Sequence, residues 1–111
     1  MLPHSKRLTT ELFAEIIEKG QSTHCSFSSV KVLEYDSVSR YAVSVPKKVA
    51  HTAVMRNKLR RRVYSLIRSL SPDLKEGFLV VIVIKQGAEK LSLIDFCGEI
   101  QKNFVKAGLL K

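Results

Sequence analysis

The stretch MRNKLRRRVYSLIRSL, Met55 to Leu70, places five basic residues in the seven positions from Arg56 to Arg62. Four of the five are arginines. A guanidinium offers planar, bidentate hydrogen bonding to phosphate and can stack on a base, whereas an ammonium is a point charge. The chemistry this stretch is equipped for is therefore recognition of a phosphate-rich polyanion. Its surroundings reinforce the point. No acid occurs between Ser37 and Pro72, while Arg40, Lys47, Lys48, Arg56, Lys58, Arg60, Arg61, Arg62 and Arg68 all fall there. The net charge of +9 is thus concentrated in one third of the chain. A chain that needed only solubility would intersperse both signs.

Other chemistries find little support. No acid cluster or paired histidines suggest a nucleophile with its base, which disfavours a protein nuclease acting alone. His4, His24, His51, Cys25 and Cys97 lack metal-ligand spacing. The start MLPHSKRLTT has no signal-peptide core, and the longest apolar run, Phe78 to Ile84, is too short for a bilayer. A cytoplasmic location with reduced cysteines is expected. The 111 residues fit one domain, 1–111, with a single modest core.

The elements that must position the charge can be read from periodicity. A first helix is predicted over Thr10 to Lys19, with Thr9 as N-cap and Gly20 just past its end. Cys25 to Tyr35 reads as extended, YDSVSR as a turn, and Arg40 to Val45 as a strand, the two strands forming an antiparallel hairpin. The basic helix should run from Ala53 to Leu70 with Thr52 as N-cap. FLVVIVI, Phe78 to Ile84, reads as a central strand covered on both faces. A last helix begins after Ser92, with Asp95 completing a capping-box-like pair, turns Leu93, Phe96, Cys97, Ile100 and Phe104 inward, and ends near Gly108. The order helix, strands, helix, strand, helix gives an α+β sandwich with the basic helix as a crossover connection.

At about 100° per residue, Leu59, Val63, Leu66, Ile67 and Leu70 fall on one stripe of the basic helix. Asn57, Lys58, Arg61, Tyr64 and Arg68 fall opposite, and Arg56, Arg60 and Arg62 flank the stripe with stems along apolar surface. A merely solvated face is the alternative. Solvated helices, however, pair acids with bases at four-residue spacing, and no acid is available here. A membrane surface would call for exposed bulky apolar residues beside the charge. A helix-turn-helix reader would need a helix and tight turn in place of the extended YAVSVPKKVAHT. RNA is the partner that fits best.

The segment YAVSVPKKVAHTAVMRNKLRRRVYSLIR resembles the signature region of the bacterial ribonuclease P protein component. That region is a strand ending in Ser-Val-x-Lys-Lys followed by a basic helix R-N-R-x-K-R-x-x-R. KRLTTELFAEIIEKG is similar to the family's first helix, and FVKAGLLK to its C-terminal helix. The resemblance implies an α-β-β-β-α-β-α two-layer sandwich with a mixed sheet and a left-handed β-α-β crossover through the basic helix. It implies an accessory subunit of an endoribonuclease whose chemistry is carried by an RNA, the isolated chain being inactive. The partners implied are the catalytic RNA and precursor tRNA, with no membrane and no obligatory protein partner. Mg²⁺ would be held mainly by the RNA and substrate, with no certain metal ligand on the chain. Lys47, Lys48, Arg56, Asn57, Lys58, Arg60, Arg61, Arg62 and Arg68 would contact the catalytic RNA. Phe13, Ile17, Phe27, Val30 and Ser44 would line a cleft for the 5′ leader of the precursor. Departures from the pattern are Lys58 for Arg, Arg60 for Lys, Tyr64 for the final Arg, Ile17 for a cleft aromatic and Val30 for a strand tyrosine. Ala50 and His51 stand where Gly-Asn is frequent, in a segment one residue longer than usual. A structural, ribosome-associated RNA-binding module is the alternative function.

Overall fold

Residues 8–111 are described in the computed structural model. The apolar run Phe78–Ile84 forms β4, and every residue from Leu79 to Ile82 is buried. A strand that is apolar on both faces must be covered on both, and β4 accordingly lies inside the sheet. The preceding elements are α1 (Thr10–Lys19), β1 (Gln21–His24), β2 (Ser28–Glu34), β3 (Arg40–Ser44) and α2 (Ala53–Leu70), and α3 (Leu93–Lys106) follows. The order is α-β-β-β-α-β-α, as the resemblance implies, and the sheet is mixed.

The strand order is β1-β2-β4-β3, with β1 and β4 antiparallel to β2 and β3 parallel to β4. The hairpin expected between β2 and β3 does not form. β4 inserts between them, because the most apolar strand takes the position with two neighbours and two covered faces. The actual hairpin is β1–β2, whose first strand QSTH is polar and carries no apolar alternation. β3 and β4 are the parallel pair of a β-α-β unit that crosses over through α2. Ser39 pins its start: its N–H donates to Glu76 Oε2 at 3.0 Å, and its Oγ accepts from the Phe78 N–H at 3.0 Å.

Strand parity sorts the side chains into two cores. Val30, Tyr41, Val43, Val80, Ile82 and Ile84 meet Leu59, Val63 and Ile67 of α2 and Phe96, Ile100 and Phe104 of α3. On the other face, Leu79 and Val81 pack on Ile16 of α1, with Leu12, Leu33, Ala42 and Val83 around them. A buried polar clip ties α3 to the sheet: Asn103 Nδ2 donates to Ser28 O at 3.0 Å and Ser28 Oγ at 2.8 Å.

The helix starts follow the capping rules. Thr9, Thr52 and Ser92 each accept at 3.2 Å from the N–H three residues on. The end of α3 is a Schellman turn, with Gly108 at φ 77° and the Leu109 N–H reaching Phe104 O at 3.0 Å. Gly20 differs from expectation. It is the C-cap in extended conformation, φ −71° and ψ 156°, and leads straight into β1. Glycine is needed there for space, since a Cβ would lie 2.6 Å from Ile16 O. Leu93 also departs from the inward set of α3. It is 54% exposed and lines an open groove between α3 and α2.

Candidate nucleic-acid interface

α2 buries Leu59, Val63 and Ile67 and leaves Asn57, Lys58, Arg61, Ser65 and Arg68 exposed on the side away from the sheet. No acid occupies its first turn. Among the described residues the single ion pair is Lys102–Glu99 on α3, so no carboxylate neutralises Lys58, Arg61 or Arg68. Like charges gathered beside the positive end of the helix dipole disfavour the free protein and favour an anionic partner. Lys47 and Lys48 are exposed in the turn that joins β3 to α2. That turn is closed by the Val49 and Ala50 N–H groups, which donate to Pro46 O at 3.0 and 3.3 Å. It continues the cationic surface from the helix toward the C-terminal end of β3.

The remaining basic residues of α2 are engaged with the protein. Arg56 Nη1 donates to Ala50 O at 3.0 Å and to His51 O at 3.1 Å. Its guanidinium therefore clips the connection to the helix and is turned away from the exposed face. The cause is angular: Arg56 lies about 60° from Leu59 on the helix, inside the buried stripe rather than beside it. Arg60 Nη2 hydrogen-bonds Asn57 Oδ1, which fixes both side chains along one flank. Arg62 stands over the Phe96 ring, 5.7 Å from its centroid, and links α2 to α3.

Tyr64 is the chief correction on this helix. Expected on the cationic side, it is 8% exposed and joins the core cluster that includes Val45, Val49 and Ala50. The turn between β3 and α2 carries apolar residues into the core, so the buried arc of the helix is wider than the stripe from Leu59 to Leu70. The position where the resembled motif ends in Arg is a packing position in this chain.

A second surface lies on the α1 face of the sheet. Parity brings Ser29, Val83 and Ser44 into one row on that face, all three half-buried. α1 crosses the neighbouring rows through Ile16, Leu79 and Val81. Glu15 shares a surface concavity with Glu34, Tyr35 and Asp36, so the acidic flank of α1 faces that end of the sheet. Phe13 and Ile17 occupy the opposite flank, about 160–200° round the helix from Glu15, and are 40% and 48% exposed. We take these exposed side chains, Ser44 on the same face of the sheet, and Lys47 and Lys48 just after it in the chain, as one open strip. Lys31, from the same face of β2, donates to Ile17 O at 2.9 Å and holds the end of α1.

Two residues expected in this cleft lie elsewhere. Val30 is fully buried in the core beneath α2 and α3, because its position on β2 has the opposite parity from Ser29. Phe27 precedes β2 in a bend and packs at the margin of that same core, 3.3 Å from where a Cβ on Gly87 would stand. Phe13 and Ile17 remain exposed on α1, and Ser44 lies on the face of the sheet that α1 packs against.

The chain matches the Ribonuclease P family model over residues 2–108. It is 36% identical to the ribonuclease P protein component of Microcystis aeruginosa, over 98% of this chain and 96% of that protein. Identity to the corresponding protein of a Pseudanabaena species is 32%, over 99% of this chain and 97% of that one. The fold matches the Staphylococcus aureus RNase P protein with a TM-score of 0.83 at 19% identity, covering 96% of this chain and 98% of the other. The Thermotoga maritima RNase P protein gives 0.78 at 22% identity, covering 86% and 92%.

Proposed function

The chain belongs to the ribonuclease P protein family, and on that premise we propose that it is the protein subunit of ribonuclease P. In this reading it binds the catalytic RNA and the 5′ leader of precursor tRNA and promotes removal of the leader during tRNA 5′ maturation. The observation that carries the proposal is the row of exposed cations, Lys47, Lys48, Lys58, Arg61 and Arg68, that no carboxylate among the described residues neutralises. Each phosphate such a residue contacts releases condensed counterions, so binding is strong and falls steeply with salt. Arg61, Lys58 and Arg68 hold the RNA; Lys47 and Lys48 bridge to the open strip. There Phe13 and Ile17 give apolar contact to unstacked leader bases, and the Ser44 hydroxyl supplies a hydrogen bond.

Among the described residues no three His, Cys, Asp or Glu side chains gather where a metal ion could sit. Mg²⁺ is assigned to the RNA and the substrate on the strength of the family resemblance, and no step is assigned to it on this chain. The protein lowers repulsion between two RNAs and orders the leader strand. Its effect is therefore greatest when Mg²⁺ is scarce. No helix of the described chain is long and apolar enough to cross a membrane, and a cytoplasmic site of action is part of the proposal.

The test is reconstitution of the protein with ribonuclease P RNA and precursor tRNA at limiting Mg²⁺. Stimulated leader removal supports the reading. RNA binding without stimulation would make the chain a structural RNA-binding module, and cleavage by the protein alone would make it a nuclease in its own right. Within the complex, Phe13→Ala should weaken binding of leader-bearing tRNA and leave mature tRNA unaffected; an equal effect on both would return Phe13 to a packing role.

A further inference from the structure

Between α2 and α3 runs an open groove of about 570 Å³, lined by Lys58, Arg61, Ser65 and Leu66 on one side and Leu93 and Cys97 on the other. Its size falls within the range of about 300–1,000 Å³ that seats small-molecule-sized groups. Its floor is apolar and its rim cationic. Leu93, part of that floor, and its neighbour Ile94 are among the most exposed large apolar side chains of the fold, at 54% and 84%. The wall nearest Phe96 is held in place by the Arg62 guanidinium stacked on that ring. An aliphatic floor beside unneutralised cations suits a group that is flat and apolar on one side and anionic on the other. An apolar peptide side chain would use the floor but leave Lys58 and Arg61 unanswered. A duplex backbone would use the cations but leave the floor exposed.

We propose that this groove receives one unpaired nucleotide of the RNA bound by α2, with its base on Leu66, Leu93 and Cys97 and its phosphate on Lys58 and Arg61. The Ser65 hydroxyl lies where it can hydrogen-bond the base edge or the ribose. The contact reads an unstacked base as well as charge, so it directs α2 to a bulge or loop in preference to regular duplex. This inference rests on the RNA-binding reading of α2 and adds to it a pocket that the cationic face alone does not require.

Leu93→Ser removes floor and no charge, at a position exposed enough to leave folding intact. It should weaken binding to ribonuclease P RNA about five- to tenfold, the lower end of what loss of a base contact costs, with the slope of log affinity against log salt unchanged. In the same complex, alkylation of Cys97 should slow several-fold relative to free protein, while Cys25 in the β1–β2 turn reacts at its free rate. Wild-type affinity in Leu93→Ser, or undiminished alkylation of Cys97 in the complex, with salt-dependent binding retained, would overturn the pocket and leave the RNA reading standing. Absence of any salt-dependent binding by the unaltered protein would overturn both.

Discussion

Arg56→Ala should lower fold stability while leaving the salt dependence of RNA binding nearly intact, and Arg61→Ala should do the reverse. The Arg56 guanidinium donates to Ala50 O at 3.0 Å and His51 O at 3.1 Å. Ala50 is only 4% exposed, so truncating Arg56 leaves its carbonyl without a partner at the edge of the core. A hydrogen bond to a charged group contributes about 1.5–3 kcal/mol when its acceptor is poorly hydrated. His51 is exposed, and water replaces the second bond at little cost. The net loss is about 2 kcal/mol, which for a domain of this size lowers Tm by about 10 °C. Arg61 is exposed and makes no hydrogen bond or ion pair among the described residues, so Arg61→Ala should barely move Tm. It removes one phosphate contact and reduces the salt slope by about one. Thermal unfolding followed by circular dichroism, together with binding to ribonuclease P RNA over a salt series, measures both quantities on each variant. An Arg56→Ala protein with unchanged Tm and a salt slope reduced by about one would refute the assignment of Arg56 as a clip and return it to the RNA-facing surface.

Gly20→Ala should destabilise the fold by about 1–3 kcal/mol, because its Cβ would press on the Ile16 carbonyl and side chain at 2.6 and 2.9 Å; a lower urea midpoint at constant m-value is the expected result. Burial raises the Tyr41 phenol above its ordinary value of 10.0, outweighing the Ser39 hydrogen bond that lowers it, with Glu76 adding to the rise. The folded state therefore keeps this proton after the unfolded chain has begun to lose it. The resulting stability is fully present below about pH 10 and declines as pH climbs toward the raised value. Tyr41→Phe should flatten that alkaline decline in a pH series of denaturant midpoints.

What the residues determine on their own is local. The helices Thr10–Lys19 and Ala53–Leu70 and the strand Phe78–Ile84 occupy the ranges that periodicity and caps predict. The physical reason is short range: an N-cap bonds three residues away, and an apolar stripe repeats every turn. The concentration of charge between Ser37 and Pro72 is equally legible, since it needs only counting. The resemblance, resting on the signature region together with the first helix and the C-terminal segment, carried the α-β-β-β-α-β-α order, including a polar first strand that alternation alone does not reveal.

Tertiary structure decided everything that depends on which distant surface meets which. β4 intervenes between β2 and β3 because covering its two apolar faces outweighs the short turn that would have closed a hairpin. Val30 leaves the open strip because the β2–β4 register sends it to the α2–α3 core, while Ser29, one residue away, stays on the other face. On α2 the flanking position expected of Arg56 gives way to one within the buried stripe. That its guanidinium should close on Ala50 and His51 depended on the fold of the connecting turn. Tyr64 is buried for the same reason: the segment from Val45 to Ala50 folds back and extends the core beyond the edge that the helix's own periodicity defines. Charge can be assigned to a stretch of sequence, but whether a given cation meets solvent, a ring or a backbone carbonyl is settled by packing against residues far along the chain.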